Sequence, residues 1–279
     1  MDRFCISLVL ILSATSKAFG LIINTNNYYE TSFIGDEKKV KELWLELDDP
    51  EYENATMTYS FEEASKAYEE SIEKYGEYNL RLDQNLSFDF SFFGETVHSV
   101  RIYGNGYMYL AEQFTGKRTP LHDGVELQEL EYFASIIPIA NSDFKRFRVS
   151  PGKFIRWFHN DSQFTVSWVN IEFKTKPEQT MLGTYTFQTT LFKTGDIAFV
   201  YKFISVHNVS VKLIDGYMMS NKTIYKYPHH SINLSDTAIT NWSSIYLKPL
   251  PNCLDHKDVD SCLSFSTTSH MNCCSCQSH

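Results

Sequence analysis

With 279 residues, 43% of them hydrophobic and 15% aromatic, the chain is long enough to bury a sizeable core and too apolar for a disordered polymer. Its net charge of −9 is local: residues 1–20 sum to +1, residues 21–80 carry fifteen Asp or Glu against five Lys, and residues 81–279 balance at eighteen of each sign. No basic patch stands out, so the electrostatic footprint of a nucleic-acid binder is missing, while 21 Phe and 17 Tyr favour the pleated surfaces of β structure.

Residues 1–20 read as a signal peptide. Arg3 supplies the positive start, Phe4 to Leu12 is an apolar run broken only by Ser7, and Ala18-Phe19-Gly20 offers small residues at both positions that a signal peptidase reads. That run is shorter than the ~20 apolar residues needed to cross a bilayer, and no later stretch reaches that length. The mature chain is expected to be soluble.

Residues 21–80 form an acidic, helix-prone or partly disordered segment. Residues 21–35 have no clear period, whereas Val40, Leu43, Trp44 and Leu47 recur at the spacing of one helical face. Ser60 and Glu63 have capping-box spacing ahead of a second helical run through Ala64, Ala67 and Tyr68.

At about residue 81 the texture changes to that of an antiparallel β-sandwich, or jelly-roll-like domain, expected over 81–250. Phe88, Phe90 and Phe92 alternate with Asp89 and Ser91, the period of a half-buried strand. Val97–Tyr103 and Tyr107–Leu110 flank Gly104-Asn105-Gly106, a strong hairpin signal because Asn-Gly supplies the positive φ of a tight turn. Ala111 to Asn141 is the least regular stretch, with one helical turn expected around Leu127 to Phe133. Phe154–Phe158 and Phe164–Phe173 pair around His159-Asn160-Asp161, and a change of face in the second predicts a bulge near Trp168. Tyr185–Phe192 and Ile197–Ile204 are joined by Lys193-Thr194-Gly195-Asp196, and Val211–Met218 with Ile245–Leu247 close the domain. Eight to ten short strands are expected.

Asn-x-Ser/Thr occurs seven times, at Asn54, Asn85, Asn160, Asn208, Asn221, Asn233 and Asn241. Sixteen Asn in average surroundings would give about two or three by chance, so a surface carrying N-glycans is expected. Cys5 leaves with the signal. Cys253, Cys262, Cys273, Cys274 and Cys276 lie within 24 residues, and in an exported chain this density reads as a disulfide framework in a small, incomplete module over 251–279. Five is odd, so one thiol is left over, and the pairing stays open; the adjacent Cys273 and Cys274 are poor partners for each other. A zinc site built on Cys273-x2-Cys276 with Cys253, Cys262 or His256 is the rival reading, which the exported setting disfavours.

No nucleophile elbow, zinc-protease helix, phosphate loop, dinucleotide fingerprint or EF-hand loop is present, and no catalytic residue, metal ligand or cofactor is assigned. His229-His230 reads as part of a loop, His122-Asp123-Gly124 as a turn, Asp89 as a solvent-facing strand residue and Trp168 as core.

The segments SFDFSFFG (87–94), VRIYGNGYMYL (100–110), FTVSWVNIEF (164–173), GTYTFQTTLFKTGDIAFVYKFI (183–204) and PLPNCLDHKDVDSC (249–262) resemble the extracellular part of the plexin domain-containing proteins. A looser version of the pattern occurs in nidogen-type domains. The resemblance spans about residues 81–279 and implies a type I membrane receptor or adhesion protein with a plexin–semaphorin–integrin cysteine-rich module. Two departures prevent a transfer of the disulfide pattern: Val259 stands at one of that family's cysteine positions, and Cys274 is extra.

The expected function is that of a secreted or cell-surface glycoprotein, not an enzyme, which recognises extracellular or matrix proteins. Contact with a membrane is expected only if the native chain continues past residue 279 into a transmembrane helix. Glycans at Asn160, Asn208, Asn221, Asn233 and Asn241 would shield the faces they occupy, leaving the Val97–Leu110 hairpin side as the expected binding surface. The alternatives are an extracellular hydrolase on a β-sandwich framework, which needs carboxylates or histidines clustered in a cleft, and a disulfide-linked structural matrix protein.

Overall fold

The computed structural model describes residues 21–25, 28–53, 56–60, 81–111, 131–140, 146–148, 154–174, 181–205, 209–220, 224–234 and 239–251. These residues form two antiparallel sheets, the β-sandwich expected from the strand periodicities. The nine-stranded sheet has the order β1 (Leu21–Thr25), β2 (Tyr29–Ile34), β15 (Ser243–Pro249), β12 (Ile197–Ile204), β11 (Met181–Phe192), β10 (Gln163–Lys174), β9 (Phe154–His159) and β3 (Thr56–Ser60), with β8 (Arg146–Arg148) sharing the outer side of β10. The six-stranded sheet has the order β14 (Ile224–Leu234), β13 (Ser210–Ser220), β7 (Glu131–Ala140), β6 (Met108–Ala111), β5 (Glu95–Tyr103) and β4 (Arg81–Phe92).

The three hairpins expected from turn chemistry all form. Ile102 faces Met108 across the Gly104-Asn105-Gly106 turn, Phe164 faces His159, and Leu191 faces Ile197. The bulge falls between Trp168 and Ile171, where Asn170 takes φ 56°, a left-handed conformation that Asn tolerates. This extra residue is why Phe164, Val166 and Trp168 and then Ile171 can all face inward.

The core lies between the sheets. Phe90, Phe92, Val100, Ile102 and Leu213 from one sheet meet Phe164, Trp168, Phe187, Phe199 and Ile245 from the other, all with no measurable exposure. Two buried side chains donate hydrogen bonds across the core from one sheet to the other. The Trp168 indole donates to the Tyr103 carbonyl at 2.9 Å, and the Tyr201 hydroxyl donates to the Pro138 carbonyl at 2.8 Å. Each satisfies a polar group that would otherwise be costly in an apolar interior, and each ties one sheet to the other at a defined place.

The sandwich does not begin at residue 81. β1, β2 and β3 precede that point and pair into the nine-stranded sheet, Phe33 opposite Ile245 and Tyr59 opposite Ile155. β2 shows no hydrophobic alternation because Thr31 takes an inward place between Tyr29 and Phe33, fully buried. Between β2 and β3 runs the helix read from its apolar face, α1 (Glu37–Leu43), capped by the Asp36 carboxylate on the Lys38 and Lys39 amides at 3.0 and 3.3 Å, followed by one helical turn, α2 (Pro50–Glu53).

Other expectations change with tertiary pairing. Ser60 ends β3 opposite Phe154, and the helical run expected after it, within residues 61–80, lies outside the described residues. Glu131 to Phe133, expected in a helical turn, start β7, where they are held opposite Met218, Tyr217 and Gly216 of β13. His229-His230 belongs to β14 and not to a loop: His230 pairs with Asp215, and His229 sits at the register shift between Pro228 and His230. Over 81–250 twelve strands are present among the described residues where eight to ten were expected, and three more precede them. The signal segment, His122-Asp123-Gly124 and the cysteine-rich module lie outside the described residues.

Candidate functional site

The nine-stranded sheet turns its second face away from the core, and part of that face is covered by the segment between β2 and β3. Val40 and Trp44 bury against Val200 of β12, and Leu47 is also buried. Each such side chain removed from water is worth on the order of 2 kcal/mol as an upper figure. At the far end Tyr52 of α2 meets Phe158 edge to face, with ring centroids 5.3 Å apart. Residues 36–53 are therefore a strap across the outer face, and the apolar stripe of an otherwise acidic segment is what holds it there.

The strap is fastened by Gln188 of β11, a fully buried amide. Its carbonyl accepts from the Leu45 N–H at 3.0 Å, and its amino group donates to the Leu45 carbonyl at 3.0 Å and to Ser167 Oγ at 2.6 Å. One side chain thus stands in for a strand partner at a single strap residue. Ion pairs add to it at either side. Lys202 meets Glu46 at 2.9 and 3.2 Å and lies over the Trp44 ring at 5.0 Å, and Arg156 reaches Asp48 at 3.4 Å.

Between strap and sheet lies an open cleft of about 290 Å³, lined by Leu45, Glu46, Asp48, Arg156, Ser167, Asn170, Thr186, Lys202 and Phe203 among others. Thr186 Oγ1 accepts from the Asn170 amide at 3.1 Å and bonds its side-chain oxygen at 3.4 Å, fixing the bulge as part of the wall. At the rim, Phe203 is 43% exposed, an apolar ring beside two cations and two carboxylates. A register shift in the β11–β12 pairing inserts Lys202 between Tyr201 and Phe203, which turns Phe203 to the outer face while Tyr201 and Ile204 face the core. Such a surface can seat a partner's side chain against an apolar anchor within a polar rim. Among the described residues no group of three or more His, Cys, Asp or Glu is placed to hold a metal ion.

A second cleft, about 230 Å³, lies beside the β4–β5 turn and is lined by Tyr28, Tyr29, Ser91, Phe93, Gly94, Thr194 and Pro249 to Pro251. Phe93 and Gly94 have φ of 52° and 90°, the signature of a tight primed hairpin turn, with Phe93 where Asn or Gly is usual. Its ring compensates by packing edge-on to Tyr28, Tyr29 and Phe92. Burial pushes the Tyr29 phenol far above its ordinary pKa.

Four of the seven sequon asparagines are described, and the structure scatters them. Asn85 is exposed on β4, Asn233 is exposed on β14, and Asn160 and Asn241 are exposed in turns. Asn85 accepts from Ser99 Oγ at 3.1 Å, so it stands beside the first strand of the Val97–Leu110 hairpin. Asn160 is held by its own turn, its Oδ1 accepting from the Ser162 and Gln163 amides and from Ser162 Oγ at 2.8 to 3.0 Å. Asn54, Asn208, Asn221, Cys253, Cys262, Cys273, Cys274 and Cys276 lie outside the described residues.

Asp89 is exposed as read, and it pairs with His98 at 3.0 Å; Trp168 is core as read. Sequence reasoning missed Arg101, nearly buried and bidentate on Asp83 at 2.6 and 2.8 Å, an interaction that raises its pKa. It missed the Gln188 fastening and Phe203 as well. Compared with known proteins, the chain matches no protein-family model and no solved structure.

Proposed function

We propose that the chain is a secreted or cell-surface glycoprotein that works by binding an extracellular protein, not by catalysis. The observation that carries this reading is Phe203, 43% exposed and lining the strap cleft together with Lys202, Arg156, Glu46 and Asp48. An accessible aromatic anchor framed by charge is the arrangement that protein recognition exploits. The exposure of all four described sequon asparagines supports the exported setting. The resemblance to the plexin domain-containing proteins rests on the aromatic strand residues and supports the same class of function. With Asn85 next to the hairpin, a glycan there would crowd the Val97–Leu110 side, and the strap cleft becomes the better contact surface.

The test is expression of the full chain in a secretory cell, with assay of medium, surface and cytosol before and after N-glycosidase. Glycosylated protein outside the cell is expected, and its cross-linked extracellular partners should be lost with Phe203→Ala while secretion persists. Recovery only as unglycosylated cytosolic protein would sink the reading. A partner retained in full by Phe203→Ala would move the site elsewhere.

A further inference from the structure

The six-stranded sheet ends in two edge strands among the described residues, β4 and β14. β4 is 12 residues long and β14 is 11, so each offers a long row of backbone donors and acceptors to a further strand. Edges of this length are usually guarded by charge; on β4, Asp83 is engaged by Arg101 and Asp89 by His98, so both carboxylates, although exposed, pair along the sheet with β5. The two described sequon asparagines that lie within strands, Asn85 and Asn233, occupy these two edge strands, and both are exposed. The other two described are in turns.

From this placement we infer that N-glycans on Asn85 and Asn233 guard both edges of the six-stranded sheet against pairing with a second copy of the chain. A neighbouring strand must approach to about 4.8 Å to form a ladder, and a bulky, hydrated glycan rooted on the edge strand excludes that approach sterically and through desolvation. A second copy is the natural intruder because an edge strand meets itself antiparallel about a two-fold axis, with the same patch on both sides. On β14 the flanking Ile232 and Leu234 face the core, so Asn233 projects from the opposite face, the same outer face as Asn85.

This inference rests on the glycoprotein reading above, and the test separates the two. The full secreted chain is compared with Asn85→Gln, Asn233→Gln and the double variant, by intact mass and by size-exclusion with light scattering. Each single variant is expected to lose the mass of one glycan, and the double variant to show at least a two-fold higher light-scattering mass than wild type. Because a Gln variant can fail to secrete, wild-type protein is also deglycosylated enzymatically after folding and measured the same way; self-association is expected there too. No change in glycan mass in the single variants would overturn the glycan assignment and the inference with it. Loss of both glycans with the molecule still monomeric across the concentration range would overturn the edge-guard role alone.

Discussion

Replacing Gln188 by Leu keeps the volume of the side chain and removes all of its polar contacts. Three hydrogen bonds disappear, two to Leu45 and one to Ser167, each worth about 1 kcal/mol net. Ser167 is buried, and its hydroxyl loses a partner inside the fold; Leu45 is half-buried, so water can recover part of its loss. The strap can instead swing out to rehydrate Leu45, but that route exposes Trp44 and Leu47 at on the order of 2 kcal/mol each. Both routes lead to a destabilisation of about 2–4 kcal/mol. The ion pairs cannot make up the difference. Lys202–Glu46 and Arg156–Asp48 have carboxylates 54% and 59% exposed, a setting in which a pair is worth about 0–1 kcal/mol. Urea denaturation should show a lowered midpoint with little change in slope, and hydrogen exchange should show faster opening at the Leu45 amide. A variant within about 0.5 kcal/mol of wild type, with Leu45 protection unchanged, would refute the claim that Gln188 fastens the strap.

Phe93→Asn sets backbone strain against burial. Asn suits the left-handed φ of 52° and should recover about 1 kcal/mol of strain, yet the buried ring with its three edge-on contacts is worth about 3 kcal/mol. Net destabilisation of about 2 kcal/mol is expected in chemical denaturation, and a stabilised variant would show that the ring is dispensable. Trp168→Phe removes the indole donor from the Tyr103 carbonyl, which keeps the Gly106 amide, and should cost about 1–3 kcal/mol from the lost bond and the smaller buried ring, with loss of the buried-indole fluorescence signal on unfolding; a neutral result would mean that the inter-sheet bond contributes nothing. Alkaline stability follows from the tyrosines. Burial raises the phenols of Tyr109 and Tyr185 to about 12 and that of Tyr201 well above 10, so the folded state resists ionisation that the unfolded chain undergoes near 10. Their contribution to stability is full below pH 10 and is lost as pH rises through the folded values. Tyrosinate absorbance should therefore rise in two stages, the second coinciding with unfolding, whereas reversible titration of all 17 tyrosines near pH 10 in a folded protein would contradict this.

Local patterns were legible wherever one physical rule dominated. The Gly104-Asn105-Gly106 turn, the alternation of Phe88, Phe90 and Phe92 and the bulge beside Trp168 each depend on residues close together in the chain, and each forms as read; the helix around Val40 also forms, but it ends at Leu43, with Trp44 extended at its C-cap and Leu47 beyond it. β2 and the start of β7 were illegible because their state is set by partners far away. Thr31 is inward-facing only because Leu247 lies opposite, and Glu131 to Phe133 are extended only because β13 holds them. The candidate site was hidden for the same reason. Gln188 is one of five polar residues in β11 until a strap 143 positions earlier in the chain brings Leu45 to it, and Phe203 follows the alternation of Ile197, Phe199 and Tyr201 until a register shift turns it outward.

The amino-acid sequence alone determined that the body of this protein would be antiparallel β, because side-chain alternation and turn geometry are properties of neighbouring residues. It also carries the apolar N-terminal run and the seven sequons, motifs of adjacent residues on which the proposal of an exported glycoprotein rests. Only the tertiary structure decided which strands are edges, which face the strap covers, and which of the sequon asparagines stand at an open sheet edge. Those are relations between segments far apart in the chain, settled by how the whole molecule buries its aromatic surface at once.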